Sequence, residues 1–123
     1  MVEIDDGWET FVSSGVPRED RLPDLDSQVR RIKKEGLSVG FWMSLGWIDE
    51  PEAVGLGTED LICSKSGDPV RVNWQLDPRT SWKRHYCPDP SSVKVREFLT
   101  ERTQRVIQRF GPAMLKHDFT YGI

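Results

Sequence analysis

The 123 residues contain only two cysteines and two histidines, so soft metal ligands are scarce. Cys63 and Cys87 lie too far apart for a Cys-x-x-Cys redox or zinc motif, and His85 and His117 form no metal-binding set with them. A long apolar run is also missing. Nothing approaches the ~20 residues that cross a bilayer, and no basic stretch followed by an apolar segment opens the chain as a secretory signal would. The expected compartment is therefore the cytoplasm, with no membrane partner. There is no excess of positive charge. Seventeen Lys and Arg face twenty Asp and Glu, for a net charge of −3, and the basic residues are interspersed with acidic ones. That argues against a nucleic-acid partner. A glycine-rich phosphate loop, an internal repeat and a low-complexity tract are likewise lacking.

What is present is a globular composition, 37% hydrophobic and 30% charged, in a chain long enough to bury a core as one domain. Val2 to Ile4 is a β-favouring run that stops at Asp5-Asp6-Gly7, where glycine gives the freedom a tight turn needs. Residues 13 to 23 have loop composition, after which Asp24 or Asp26 caps a helix running to about Glu35. Leu25, Val29 and Ile32 recur at helical spacing, Lys33 and Lys34 suit the negative end of the helix dipole, and Gly36 suits a left-handed stop. Leu37 to Met43 is an apolar run that predicts a strand buried on both faces.

Residues 44 to 88 show no sustained period, which predicts a βα loop far longer than the usual roughly 2 to 6 residues. Asp89-Pro90 reads as an N-cap followed by proline in the first helical turn. Val95, Phe98, Leu99, Val106 and Phe110 mark the buried stripe of the helix that follows, and Gly111-Pro112 ends it. Ala113 to Phe119 reads as a third strand. The order β-α-β-α-β predicts an α/β fold with parallel strands and right-handed crossovers.

Both outer strands then carry carboxylates at their C-terminal ends, Asp5 and Asp6 on the first and Asp118 on the third, where α/β folds keep their chemistry. Strand alternation puts Lys116 and Asp118 on one face and His117 on the other, so an ammonium should help to keep Asp118 ionised. A glycosidase nucleophile must be an anion, and sugar hydroxyls need carboxylate acceptors beside an aromatic face such as Trp42. The residues taken alone leave other roles open: Asp5 and Asp6 as turn caps, and Lys116 with Asp118 as a structural ion pair. Trp47, Trp74 and Trp82 would either stack on sugar or pack the long loop onto its own scaffold. Surface or packing roles are expected for His85 and His117. Cys63 and Cys87 would either pair across the loop or remain thiols.

The runs Ile4-Asp5-Asp6-Gly7-Trp8, Val39-Gly40-Phe41-Trp42, Asp89-Pro90-Ser91 and Leu115-Lys116-His117-Asp118 fall in one order across nearly the whole chain. In that order they resemble α-galactosidases of glycoside hydrolase family 36 and its relatives. The resemblance implies a (β/α)₈ barrel in which these are the second, third and fourth strands. It implies that Asp118 is the nucleophile and that Asp5, Asp6, Trp42 and Lys116 bind the sugar. Arg84 is the nearest candidate for an arginine that the family carries before the Asp-Pro helix. The implied partner is an α-galactoside oligosaccharide or glycoconjugate, with oligomerisation possible and no metal or cofactor required. Ser44-Leu45-Gly46 replaces the family's Glu-Pro-Glu, and Phe119-Thr120 replaces its aspartate-asparagine run.

Retention needs a second carboxyl about 5 to 5.5 Å from the nucleophile, which the family takes from a later strand. The chain is therefore expected to be a fragment without its general acid, inactive alone. Two other readings compete: a metal-dependent phosphoryl-transfer domain built on Asp5 and Asp118, and a carbohydrate-binding remnant without catalysis.

Overall fold

The computed structural model describes residues 1–74 and 83–120, with 73, 74, 83 and 84 as backbone only. Three parallel strands, β1 (Val2–Ile4), β2 (Val39–Ser44) and β5 (Met114–Asp118), form one sheet in the order β1-β2-β5. Helix α1 (Leu25–Lys34) connects the first two, and α2 (Val93–Phe110) precedes the third. The register pairs Ile4 with Phe41, Trp42 with Lys116, and Ser44 with Asp118. Every residue of β2 is buried, as its uninterrupted apolar run predicts for a strand covered on both faces.

Alternation along β2 sorts its side chains into two cores. Val39, Phe41 and Met43 join Leu25 and Val29 of α1 and Val106 and Phe110 of α2 in one cluster. Phe41 stacks on Phe110 at 4.7 Å, and Trp8 meets it edge-on at 5.1 Å, the aromatic geometries that the ring quadrupole favours. Both helices thus cover one face of the sheet, and the strands advance in one direction. Trp42 points the other way, into a cluster with Val12, Trp47, Cys87 and Phe119.

The helix ends follow from local chemistry. Asp24 caps α1 by accepting from the Ser27 N–H at 3.2 Å. At its other end Gly36 sits at φ +78°, with its N–H on the Lys33 carbonyl, the left-handed stop expected from the sequence. Lys33 Nζ reaches across to donate to the carbonyls of Phe110 (2.6 Å) and Gly111 (2.8 Å), so α1 caps the C-terminus of α2. Arg109 forks onto Asp26 at 3.0 and 2.6 Å, a second clamp between the helices.

Helix α2 starts later than the Asp89-Pro90 pair predicts. Asp89 accepts from the Ser91 N–H at 2.8 Å in a local turn, while Ser92, in extended conformation, caps α2 through the Val95 N–H. Asp60 accepts from the Ser92 hydroxyl at 2.7 Å, and this tertiary contact selects Ser92 as the cap. The stretch between β2 and α2 also has structure of its own. It contains two 3₁₀ turns, Glu52–Val54 and Thr58–Asp60, and an antiparallel hairpin of β3 (Arg71–Trp74) with β4 (Lys83–Tyr86). Ile48, Leu56 and Leu61 pack with Val95 of α2, which fastens that stretch to the helix. No helix among the described residues is long and apolar enough to cross a membrane.

Candidate active site

Asp5 follows the last residue of β1, Trp42 and Ser44 end β2, and Lys116 and Asp118 end β5. Extending the β1–β2 register by one residue sets Asp5 beside Trp42, which pairs with Lys116; Ser44 and Asp118 form the next rung. The parallel sheet therefore gathers Asp5, Trp42, Lys116 and Asp118 at one end of its strands.

Asp118 is half-buried, and both of its oxygens accept hydrogen bonds. Oδ2 takes the indole N–H of Trp42 at 3.3 Å, and Oδ1 takes the backbone N–H of Phe119 at 2.7 Å. The Trp42 main chain is held in turn, because its backbone carbonyl accepts from Trp8 Nε1 at 2.8 Å. Phe119 has φ +53°, in the left-handed region that residues with a bulky Cβ substituent avoid. The strand therefore breaks immediately after Asp118 and turns the Phe119 ring back over Trp42 (5.4 Å, edge-on) and Trp47 (4.0 Å, stacked).

Lys116 does not pair with Asp118 as strand alternation alone led us to expect. Its ammonium lies 3.0 Å from Glu3 and 3.2 Å from Asp5, because an acid of β1 and the acid that follows the strand together outcompete one on its own strand. Glu3 first, then Asp5, pushes the Lys116 ammonium above the usual lysine range. The Asp5 carboxyl is held below the usual carboxylate range, first by the Asp6 backbone N–H at 2.9 Å and then by Lys116. At 61% and 38% exposure, Asp5 and Lys116 stand open at the strand ends, and Asp6 beside them is half-buried.

Trp42 is 1% exposed. Its ring presents no open face here, and its contribution at the strand end is the indole N–H on Asp118. Trp47 is equally buried, stacked between Phe119 and His85, so it packs the loop onto the sheet. His85, on β4, is a core residue paired with Asp49. His117 faces α2 beside Leu99 and Thr103; burial, then the Arg102 charge, holds it below the usual histidine range. Cys63 and Cys87 are free thiols, one exposed and one buried. Arg84 registers opposite Asn73 in the hairpin, its side chain lying outside the described residues together with Trp74 and Trp82.

Sequence reasoning missed a buried polar group beneath the site. Arg102 of α2 is fully buried and donates to the carbonyl of Ser44. Glu9, 4% exposed, accepts from the N–H groups of Ser13 (3.2 Å) and Gly15 (2.6 Å). Burial pushes the Glu9 carboxyl up, opposed by the Arg102 charge and those N–H groups. Burial likewise pushes the Arg102 guanidinium down, with Glu9 opposing. The signal was present: Val95, Leu99, Arg102, Val106 and Phe110 recur every three or four residues, so an arginine occupies the buried stripe.

No family model and no curated protein matches the chain. Solved structures do. TtGalA, an α-galactosidase from Thermus thermophilus in complex with p-nitrophenyl α-D-galactopyranoside, superposes on 95% of this chain with a TM-score of 0.76 at 23% identity. Its stachyose complex matches at 0.76 and 24%. The α-galactosidase from Lactobacillus brevis covers 94% of the chain at 0.69 and 16%. The noncanonic maltogenic α-amylase AmyB from Thermotoga neapolitana covers 81% at 0.61 and 17%. This chain spans 23% and 25% of the length in the two TtGalA structures, 16% of the L. brevis protein and 22% of AmyB. At these identities the likeness establishes the fold: the β-α-β-α-β arrangement is that of a segment of glycosidases.

Proposed function

We propose that this chain is the nucleophile-bearing segment of a retaining glycoside hydrolase barrel that acts on terminal α-galactosides. The observation that carries the reading is the strand-end array, with Asp118 bonded through both oxygens and Asp5, Trp42 and Lys116 forming the adjoining rung. Asp118 would attack the anomeric carbon and form a glycosyl-aspartate that water later cleaves. Asp5 and Asp6 would accept sugar hydroxyls, and the Lys116 ammonium would donate to them. Trp42 orients the nucleophile, and Arg84 is a further sugar contact. The galactoside specificity is supported by the TtGalA complexes, whose ligands are α-galactosides.

The second carboxyl of a retaining pair sits about 5 to 5.5 Å from the first. We assign it to the part of a complete barrel that this chain does not span. The 123 residues alone should then not turn over a nitrophenyl α-galactoside. A galactosyl fluoride bearing fluorine at C2 tests the nucleophile directly, because fluoride leaves without protonation. The expected result is a covalent mass increment on the peptide carrying Asp118, absent in Asp118→Asn. Labelling elsewhere, or none, would sink the assignment.

Metal-dependent phosphoryl transfer has less support. Among the described residues no three of His, Cys, Asp and Glu cluster as a metal set, and the Asp5 carboxylate already faces an ammonium.

A further inference from the structure

We propose that Arg102 is a positioning residue for Asp118, acting through the main chain at the end of β2. The proposal rests on the reading of Asp118 as the reacting carboxylate. Arg102 is fully buried, and among its donors Nε and Nη1 have no hydrogen-bond partner. A buried guanidinium with unmade bonds is costly, and the bond it does make, from Nη2, goes to the carbonyl of Ser44. Ser44 is the residue paired with Asp118 across the sheet.

The same carbonyl also accepts from the Ser13 hydroxyl at 3.2 Å. That hydroxyl reaches the Trp47 carbonyl at 2.7 Å, and the Trp47 N–H donates to Ser44 Oγ at 3.0 Å. Arg102 and Ser13 thus fix the turn from Ser44 to Trp47. The Trp47 ring is the platform on which Phe119 stacks, holding Phe119 in its left-handed conformation. In that conformation its N–H meets Asp118 Oδ1 and its ring abuts Trp42, the donor to Oδ2. Each hydrogen bond to Asp118 therefore depends on the turn that Arg102 secures. The Glu9 charge opposes the burial that pushes the guanidinium down.

The test is the indole N–H resonance of Trp42 in the nitrogen-15 spectrum of the 123-residue chain, with Asp118→Asn defining the displacement that follows loss of the charged acceptor. Arg102→Met is expected to move the resonance in the same direction and to leave Asp118→Asn with less than half its effect in that background. Arg102→Lys should restore most of the original position. Val106→Ala, which damages the same helix face without touching Ser44, should leave the resonance in place. An unmoved resonance in Arg102→Met, or an equal movement in Val106→Ala, would overturn the proposal. Should Arg102→Met not fold, Ser13→Ala, which removes the other donor to the Ser44 carbonyl, takes its place, with a smaller displacement of the same sign expected and no displacement refuting the idea. The galactosyl fluoride experiment is independent of this readout: failure to label Asp118 would remove the catalytic meaning of the array, while an unmoved indole would remove only the role of Arg102.

Discussion

Single residues at the strand ends work through their neighbours' charges. Lys116 meets Glu3 and Asp5 across β2, and this pairing lowers the Asp5 carboxyl after the larger effect of the Asp6 N–H. A carboxyl whose folded value is depressed contributes stability above its ordinary range and loses it as pH falls through the folded value. Lys116→Met should therefore raise the Asp5 value measured by carbon-13 NMR titration, without bringing it fully to the ordinary range because the Asp6 N–H persists. An unchanged Asp5 titration would show that the ammonium contributes nothing there. The sequence made the facing of Lys116 legible through alternation but not its partner, since choosing between Asp118 and the acids of β1 requires knowing which strands are neighbours.

At the scale of elements, periodicity and capping signals were most reliable where one local interaction decides the outcome. Gly36 ends α1 and Gly111 ends α2, both at positive φ, as their positions after apolar stripes predict. The start of α2 is not legible locally because Asp89 and Ser92 are both competent caps, and the choice depends on Asp60, remote in sequence. Ser92→Ala removes the cap and leaves the 4%-exposed Asp60 short of a donor. It should cost about 0.5–2 kcal/mol, toward the upper end, in urea unfolding. A loss within error would mean that Asp89 can take over as the cap. The segment between β2 and α2 looked featureless because its hairpin and 3₁₀ turns are short and are stabilised by packing on Val95, Phe98 and Leu99, which no local period records.

Across the whole molecule, the two parallel pairings and the one-sided helices follow from the βα alternation, whereas the buried Arg102, which joins α2 to the end of β2 through the Ser44 carbonyl, leaves only its stripe position as a clue. The strand order has a further consequence in time. Lys116 and Asp5 are 111 residues apart in the chain, so β1 and β2 leave the ribosome well before β5. The β1–α1–β2 unit can pair early, but the contact of Lys116 with Asp5 waits until β5 docks, because long-range parallel pairing must first overcome loop-closure entropy. In stopped-flow refolding, tryptophan signals from Trp42 and Trp47 should reach their native values only in the slowest phase, after far-ultraviolet helix signal has returned; simultaneous recovery would argue against this order. On this view the strand-end array of Asp5, Trp42, Lys116 and Asp118 is assembled last, a late checkpoint that any interruption of synthesis before β5 would leave unmet.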